Sequence, residues 1–206
     1  HAARLMLPQR LYGREAELAL LQQAITAATA GKRQSLRVSG EPGSGKSFLV
    51  NAARQRLAQQ EGWFAQGKFD IPQVRRPYAA IRQLCRQLVL QALTDEPQKL
   101  ESLRQQLQTQ LASHTAELLQ QLPELLPLLG SSAATAANPS GDSTPRIASA
   151  FQTLVQHLQQ YRQPLLLFID DLQGADHASR SLLEALQAWS LWQDAECLWL
   201  EVRAGN

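Results

Sequence analysis

The stretch Gly40-Glu41-Pro42-Gly43-Ser44-Gly45-Lys46-Ser47 meets every position of the pattern G-x-x-x-x-G-K-[ST], which is the phosphate-binding loop. It follows a short run of alternating apolar residues, Ser35 to Ser39, and leads into a helical pattern from Phe48 to Leu57. Strand, loop and helix in this order are the context that the loop requires. The stretch therefore predicts a nucleoside triphosphate site, the alternative being a glycine-rich turn ahead of an ordinary helix.

Each residue type in this loop has a chemical reason to be there. Glycines permit a tight, open backbone, and the amides at the start of a helix point toward bound anions. Pro42 has no N–H, so the donors are expected from the five residues that follow it. We expect Lys46 to reach the β and γ phosphates and the Ser47 hydroxyl to bind Mg²⁺. The predicted nucleotide-binding residues of this segment are Gly40, Gly43, Ser44, Gly45, Lys46 and Ser47.

Composition narrows the class of protein. The 206 residues, 44% of them hydrophobic, are enough for one well-buried α/β domain. Because 20 basic and 18 acidic residues are spread along the chain, nothing indicates a nucleic-acid-binding stripe. No apolar run approaches membrane-spanning length and no signal peptide is visible, so we expect a cytoplasmic protein. Cys85 and Cys197 lie in apolar contexts and are expected to be buried free thiols.

Hydrophobic periodicity predicts the order of the remaining elements. The predicted segments are helices over Glu17 to Ala28, Phe48 to Leu57, Tyr78 to Leu93 and Pro145 to about Gln160, and strands over Ser35 to Ser39, Trp63 to Phe69 and Cys197 to Val202.

A leucine stripe at helical spacing predicts one continuous, glutamine-rich helix. The stripe consists of Leu100, Leu103, Leu107, Leu111 and Leu118. It is too short for a sustained heptad array, so we expect it to pack on its own domain, the alternative being a partner-binding or coiled-coil face. We interpret residues 1–206 as one domain with a helical insertion at about 95–130. A mobile loop is predicted at about 131–144, where Ser, Ala, Thr, Pro, Gly and Asn dominate.

The run Leu165-Leu166-Leu167-Phe168-Ile169-Asp170-Asp171 is continuously apolar and closes on two carboxylates. This pattern is typical of a strand buried on both faces of a parallel sheet and of the Walker B element. Asp170 is expected to hold Mg²⁺ near Ser47, and Asp171 to occupy the place of the base that orients the attacking water. The alternative is a core strand ending in a solvated acidic turn. Many hydrolases of this group place Glu at the second position, so slow hydrolysis is a hypothesis.

The large insertion before this strand suggests that the strands do not follow sequence order in the sheet. An added strand between the two nucleotide-binding strands is typical of the ASCE division of phosphate-loop enzymes. The segment Cys197 to Val202 is therefore predicted to lie beside the first strand. Arg203 then falls near where a sensor residue would approach the γ-phosphate, the alternative being a surface charge at a strand end. The predicted catalytic residues are Lys46, Asp170 and Asp171, and the predicted metal ligands are Ser47 and Asp170.

Taken together, these residues resemble the ATPase module of the STAND signal-transduction class. The chain is similar to the AAA-type ATPase domain of serine/threonine kinase and histidine kinase hybrids and of some transcriptional regulators, and the resemblance covers nearly all of it. The motifs that carry the resemblance are Leu11-Tyr12-Gly13-Arg14-Glu15, the phosphate loop, Gly67-Lys68-Phe69-Asp70, Pro77-Tyr78, Leu129-Gly130, Arg146, and Phe168-Ile169-Asp170-Asp171-Leu172-Gln173 continuing to Ala175-Asp176.

The resemblance implies an α/β P-loop NTPase fold, a three-layer αβα sandwich with a parallel sheet and an inserted helical region. It places Tyr12, Gly13 and Arg14 near the adenine and ribose of ATP, and makes Arg146 a weaker candidate for nucleotide or interface contact. For both arginines the alternative is a surface salt bridge. The chain departs from the family at Gly174, where a tryptophan is usual. That substitution removes an aromatic anchor and puts the local contacts in doubt.

The implied function is a Mg²⁺-dependent, ATP-binding and ATP-hydrolysing switch in a larger signalling protein. Its implied partners are ATP or ADP, the other domains of that protein and, depending on nucleotide, further copies of itself. Neither a membrane nor nucleic acid is expected. The family continues past Asn206 with a fifth strand and helical subdomains, so the first strand would have an unpaired edge here. Two alternatives stay open: a binding-only nucleotide sensor or oligomerisation module, and an AAA+ nucleic-acid-associated loader.

Overall fold

The computed structural model describes residues 15–30, 34–40, 45–58, 62–69, 77–130, 143–161, 164–188 and 197–204, and, of 34–40, 57, 187–188 and 197–204, the backbone alone. Within these ranges the chain alternates between strands and helices. The strands are β1 (Gln34–Gly40), β2 (Trp63–Lys68), β3 (Leu165–Asp170) and β4 (Cys197–Ala204).

The strands form one parallel sheet in the order β1-β4-β3-β2. The last strand therefore pairs with the first and separates it from β3, so the prediction for Cys197 to Val202 is confirmed. Because parallel strands end at the same edge, the carboxyl ends of β1 and β3 face the same side of the molecule. This order brings the phosphate-loop segment and the acidic strand end to one edge of the sheet.

The helices follow the predicted periodicity closely. They are α1 (Glu15–Thr29), α2 (Lys46–Ala58), α3 (Ala79–Ala92), α4 (Pro97–Leu111), α5 (Thr115–Gln121), α6 (Leu126–Leu129), α7 (Thr144–Gln159) and α8 (His177–Ala188), with short 3₁₀ turns at Ala112–His114, Pro123–Leu125 and Leu172–Gly174. Helix α7 begins at Thr144, with Pro145 in its first turn, where a missing N–H costs nothing. Most of the predicted loop at 131–144 lies outside the described residues.

The sheet has an apolar layer on each face. Alternate residues of β3 separate into two cores, with Leu166 and Phe168 packing beside α1 and α2. Leu165, Leu167 and Ile169 join the larger core, which α3, α4, α5, α7 and α8 complete. All five of these side chains are buried, as expected for a strand covered on both faces. The described chain is thus the three-layer α/β arrangement that the sequence predicts.

The leucine stripe packs on its own domain. Leu103, Leu107, Leu111 and Leu118 are buried in the larger core, and Leu100 packs partly buried against it. The predicted continuous helix is wrong in one respect, because α4 ends at Leu111 and a 3₁₀ turn separates it from α5. Each of the two short helices can then turn its own leucines toward the core.

The prediction of buried free thiols can be compared with the structure for one of the two cysteines. Cys85 is a free thiol, fully buried on α3, and burial together with the nearby Glu124 carboxylate raises the pKa of that thiol far above its usual range. The side chain of Cys197 lies outside the described residues. The expectation of a buried free thiol is therefore confirmed for Cys85.

Candidate functional site

The phosphate-loop segment connects β1 to α2, as the motif requires. Gly40 is the last residue of β1 and Lys46 is the first of α2, whereas Gly43 and Ser44 lie outside the described residues. Gly45 has a φ of 86°, which glycine adopts without steric cost. Its carbonyl accepts hydrogen bonds from the amides of Phe48 and Leu49, at 3.0 and 3.3 Å, and so starts the helix. Lys46 is partly buried, and Ser47 is exposed in the first turn.

The acidic end of β3 turns sharply after Asp170. Asp171 has a φ of 52° and a ψ of 43°, a left-handed conformation that is uncommon for residues other than glycine. Its amide donates a 2.9 Å hydrogen bond to Oδ1 of Asp170. Backbone strain of this kind is often found at functional sites, where the surrounding structure maintains it. The turn separates two consecutive carboxylates, so that they have different neighbours.

Electrostatics links Asp170 to the phosphate-loop segment. Partial burial raises the pKa of the Asp170 carboxyl, and the negative charge of Asp171 raises it further. The Asp171 amide, the Lys68 ammonium and the Lys46 ammonium act in the opposite direction. Lys46 and Asp170 are far apart in sequence, but the order of the strands brings both to the same edge of the sheet. The fold brings together the lysine of the first motif and the first carboxylate of the second.

Asp171 is held by two side chains from either side of the turn. Lys68 Nζ lies 3.3 Å from Asp171 Oδ2, and Gln173 Nε2 donates to Asp171 Oδ1 at 3.1 Å. Lys68 is the last residue of β2 and stands opposite Asp170 in the sheet register. Lys68 was not among the residues predicted for the site from the sequence. The signal that could have found it is its position at the end of a strand neighbouring β3, where side chains converge.

Known proteins with similar sequences identify the family to which this chain belongs. Residues 10–190 match the family model described as AAA ATPase domain. The chain belongs to this family. A curated relative, "Hybrid signal transduction histidine kinase G" of Dictyostelium discoideum, is 31% identical over 180 residues, which are 87% of this chain and 5% of the relative. The chain thus spans a small fraction of that relative's length. The resemblance to an AAA-type ATPase module of signalling proteins is confirmed.

Of four other residues predicted for the site, three lie outside the described residues and one is described by its backbone alone. Tyr12, Gly13 and Arg14 are outside the described residues. Arg203 is in β4, next to Ser39 of β1 in the register, and its side chain is not described. These four assignments stay predictions.

Arg146 has a partner within the chain. Its Nη2 and Nε atoms each lie 2.8 Å from Oε1 of Glu117, which links α7 to α5. This is the salt bridge that the sequence analysis gave as the alternative to nucleotide contact. The pair is one-third exposed on the arginine side, and its described role is to connect two helices of the larger core.

Gly174, where this chain departs from the family pattern, packs against Phe69. A Cβ at Gly174 would lie 3.2 Å from the Phe69 carbonyl oxygen, closer than most such contacts. The glycine therefore lets the turn after Asp171 approach the end of β2 closely. Since Phe69 N also donates to the Asp170 carbonyl at 3.1 Å, this approach ties the two strand ends together beside the candidate site.

The residues present fit a magnesium ion bound in part by nucleotide. In the described ranges, no group of three or more His, Cys, Asp or Glu side chains could hold a metal ion. Mg²⁺ in phosphate sites is bound through one or two carboxylates plus phosphate oxygens and water, so such a group is not required. Asp170 and Asp171 repel each other enough to raise the pKa of Asp170. A nearby cation would relieve that repulsion.

None of the described helices combines the length and the apolar character needed to cross a bilayer.

Proposed function

We propose that this AAA ATPase domain binds ATP with Mg²⁺, hydrolyses it slowly, and acts as a nucleotide-dependent switch in a multidomain signal-transduction protein of the cytoplasm. The observation that carries the proposal is the sheet order, which brings the Lys46 end of the phosphate-loop segment and Asp170 to one edge, where the lysine charge acts to lower the pKa of the aspartate. A lysine at a helix N-terminus beside a strand-end carboxylate is the arrangement that binds a metal–triphosphate complex. The relative's description as a signal-transduction kinase supports the regulatory role.

The chain's residues take distinct parts in this proposal. Amides of residues 43–47 and the Lys46 ammonium bind the phosphates, while Ser47 and Asp170 would hold the metal ion. When bound, Mg²⁺ supplies positive charge that neutralises the β and γ phosphate oxygens. The adenine and ribose of ATP are proposed to contact Tyr12, Gly13 and Arg14. Arg203 is the proposed γ-phosphate sensor.

Asp171 is the proposed acceptor of the proton from the attacking water. Its carboxylate already contacts Lys68 and Gln173, so it must share or leave these contacts when it receives a proton. These contacts support slow turnover.

A binding-only nucleotide sensor is the second candidate, and the engagement of Asp171 by two side chains favours it. The two functions share the same phosphate site. They differ in whether Asp171 becomes available to water, which a rate measurement resolves.

The test measures ATP affinity and Mg²⁺-dependent hydrolysis for the wild type, Lys46→Ala and Asp170→Ala. Lys99→Ala is the matched control, because Lys99 is an exposed lysine of α4 that pairs with Glu96 and lies near Trp63, at the amino end of β2. We expect Lys46→Ala to lose affinity, Asp170→Ala to lose the Mg²⁺-dependent part of binding and turnover, and the control to match the wild type. Tight binding without turnover by the wild type would select the sensor. Absence of both would reject the proposal.

The proposed switch has its own test. Hydrogen exchange measured with ATP and then with ADP should differ around α2 and the Asp170–Gly174 turn. Sedimentation under the same two conditions tests for nucleotide-dependent self-association. Identical exchange with both nucleotides would leave a nucleotide-binding domain that does not switch.

A further inference from the structure

Three glutamines of α3 are spaced four residues apart, and each lies against the free edge of β2. In the described part of the chain, β2 is the last strand of the sheet and pairs on one side only, with β3. Gln83, Gln87 and Gln91 follow each other at helical spacing on α3. Their side-chain amide groups all face the edge of β2 that does not pair with β3.

Each glutamine binds both backbone polar groups of one strand residue. Gln91 accepts from the Phe64 amide at 3.3 Å and donates to the Phe64 carbonyl at 2.6 Å. Gln87 makes the same two bonds with Gln66, at 3.0 and 2.7 Å. We call these contacts, with those of Gln83, the glutamine ladder.

The third rung is at the end of the strand. The Lys68 amide donates to Gln83 Oε1 at 2.9 Å, and Gln83 Nε2 donates to the Lys68 carbonyl at 3.2 Å. A primary amide carries one acceptor and two donors, so a glutamine side chain can replace the peptide group of a neighbouring strand.

The repeat distances of helix and strand make the ladder possible. Four helix residues advance about 6.0 Å, and two strand residues advance about 6.6 Å, so the rungs stay in step over three repeats. Strand numbering rises while helix numbering falls, so α3 runs antiparallel to β2. The alternate residues Trp63 and Phe69 donate instead to Pro164 and Asp170 on the β3 side.

Gly67 sets how closely the helix approaches. A Cβ at this position would lie 2.4 Å from the Ala80 carbonyl oxygen and 2.9 Å from its carbon, which no side chain can tolerate. The first turn of α3 therefore rests directly on the strand backbone. This contact places the helix, and with it the three glutamines, within reach of the edge.

We propose that the glutamine ladder takes the place of a fifth strand and closes the β2 edge against pairing with β2 of a second copy of this chain. An open strand edge presents unpaired N–H and C=O groups to other strands. In this chain, the outward groups of Phe64, Gln66 and Lys68 are already satisfied by α3. The outward polar groups of β2 form an interaction surface, and helix α3 of the same domain occupies this surface.

The second copy is the occupant that the strand's symmetry fits. Because the outward residues are centred on Gln66, two antiparallel copies of β2 would place Gln66 opposite Gln66 and Phe64 opposite Lys68. Every outward N–H and C=O then has a partner across a twofold axis. The lysine of one copy faces a phenylalanine of the other, so no like charges meet.

The first test is amide hydrogen exchange by NMR on the 206-residue chain with Gln83, Gln87 and Gln91 all changed to alanine. The matched control changes the exposed glutamines Gln105, Gln110 and Gln120 of α4 and α5 to alanine. Alanine is the better helix former, so helix propensity does not explain a loss of protection. In the ladder variant, exchange at residues 64, 66 and 68 should accelerate roughly tenfold, while residues 63 and 69 keep their protection.

Single substitutions keep the proposal testable if the triple variant does not fold. Gln87→Ala should accelerate exchange at Gln66 more than at Phe64 or Lys68. Gln87→Met keeps the bulk but not the hydrogen bonds, and should accelerate the same amide. Unchanged exchange at the edge in every ladder variant, or an unprotected edge in the wild type, would overturn the ladder's role.

The partner is tested by cross-linking. Gln66→Cys, placed in the triple-alanine background, should form a disulfide-linked dimer under mild oxidation, because the twofold pairing brings the two introduced thiols together. Gln66→Cys alone is the control and should stay unlinked, which also separates pairing at β2 from any association through β1. Sedimentation should show the ladder variant more dimeric than the wild type. A ladder variant that exchanges fast at the edge but neither cross-links nor dimerises would overturn self-pairing.

Discussion

Lys68 Nζ lies 3.3 Å from Oδ2 of Asp171, so the end of β2 restrains the side chain that follows β3. The two residues come from neighbouring strands and meet because Lys68 stands opposite Asp170 in the register. Lys68 also lowers the pKa of Asp170, against the effects of burial and of Asp171. One ammonium group thus acts on both carboxylates of the candidate site.

We expect Lys68→Met to raise the ATP turnover number, because Asp171 is released from the ion pair. The pair is half exposed on the lysine side, so the energy involved is below about 1 kcal/mol and the gain at most about fivefold. Steady-state kinetics measures the change, with Lys99→Met as the control on α4. Lower turnover with unchanged stability would instead make Lys68 a contributor to catalysis.

Asp171→Asn should keep the fold and ATP binding but lose hydrolysis. Asparagine tolerates the left-handed backbone conformation of this position and can still hydrogen-bond Gln173. It cannot accept the proton from water, a loss of roughly 10²- to 10⁴-fold in rate. Single-turnover hydrolysis and ATP affinity should be measured together. Unchanged turnover would remove Asp171 from catalysis.

Gly67→Ala should destabilise the domain far more than Gly174→Ala. The new Cβ would meet backbone atoms of Ala80 at 2.4 Å in the first case and the Phe69 carbonyl oxygen at 3.2 Å in the second. We expect a loss of about 1–3 kcal/mol in the free energy of unfolding for Gly67→Ala and less for the control. Urea denaturation of both variants gives the comparison. Equal losses would show that α3 accommodates the Gly67→Ala change as easily as the end of β2 accommodates the Gly174→Ala change.

The free energy of unfolding should decrease as the pH falls below about 6.5, in part because of His157. This residue is only 6% exposed, its Nε2 makes no hydrogen bond within the described structure, and burial lowers the pKa of its ring. The unfolded state then binds the proton more tightly than the folded state. The stabilisation is complete above the unfolded pKa and is lost as the pH falls toward the lowered folded value.

His157→Leu should flatten this part of the stability curve. His114→Leu is the control, because His114 is exposed in the 3₁₀ turn after α4. Urea titrations at about pH 7.5 and about pH 5.5 give the change in the free energy of unfolding with pH for each variant. If both variants kept the wild-type slope, another group would carry the pH dependence.

Much of the fold follows from local patterns. The uninterrupted run from Leu165 to Ile169 can be satisfied only by a strand covered on both faces, and β3 is such a strand. The order of β4 beside β1 was predicted from the motif class and the length of the insertion. The break between α4 and α5 was missed, because a leucine at helical spacing marks a buried face without fixing where the helix ends.

Polar contacts were far less predictable. The spacing of Gln83, Gln87 and Gln91 is visible in the sequence, but it is also the spacing of an ordinary solvated helix face. Only the docking of α3 along β2 turns these side chains into partners of a strand edge. The ion pair of Lys68 with Asp171 likewise depends on which strands are neighbours.

The sequence by itself determined the phosphate-loop motif, the doubly buried acidic strand and the faces of the helices, because burial leaves a periodic pattern along the chain. The tertiary structure alone decided that Lys46 acts on Asp170, that Lys68 holds Asp171, and that three glutamines close the edge of β2. The physical reason is range: hydrophobic periodicity is a local property, whereas hydrogen bonds and ion pairs require two distant segments in register. For residues 40–47, the sequence predicts phosphate binding, and the parallel sheet brings Asp170 to the same edge as this segment.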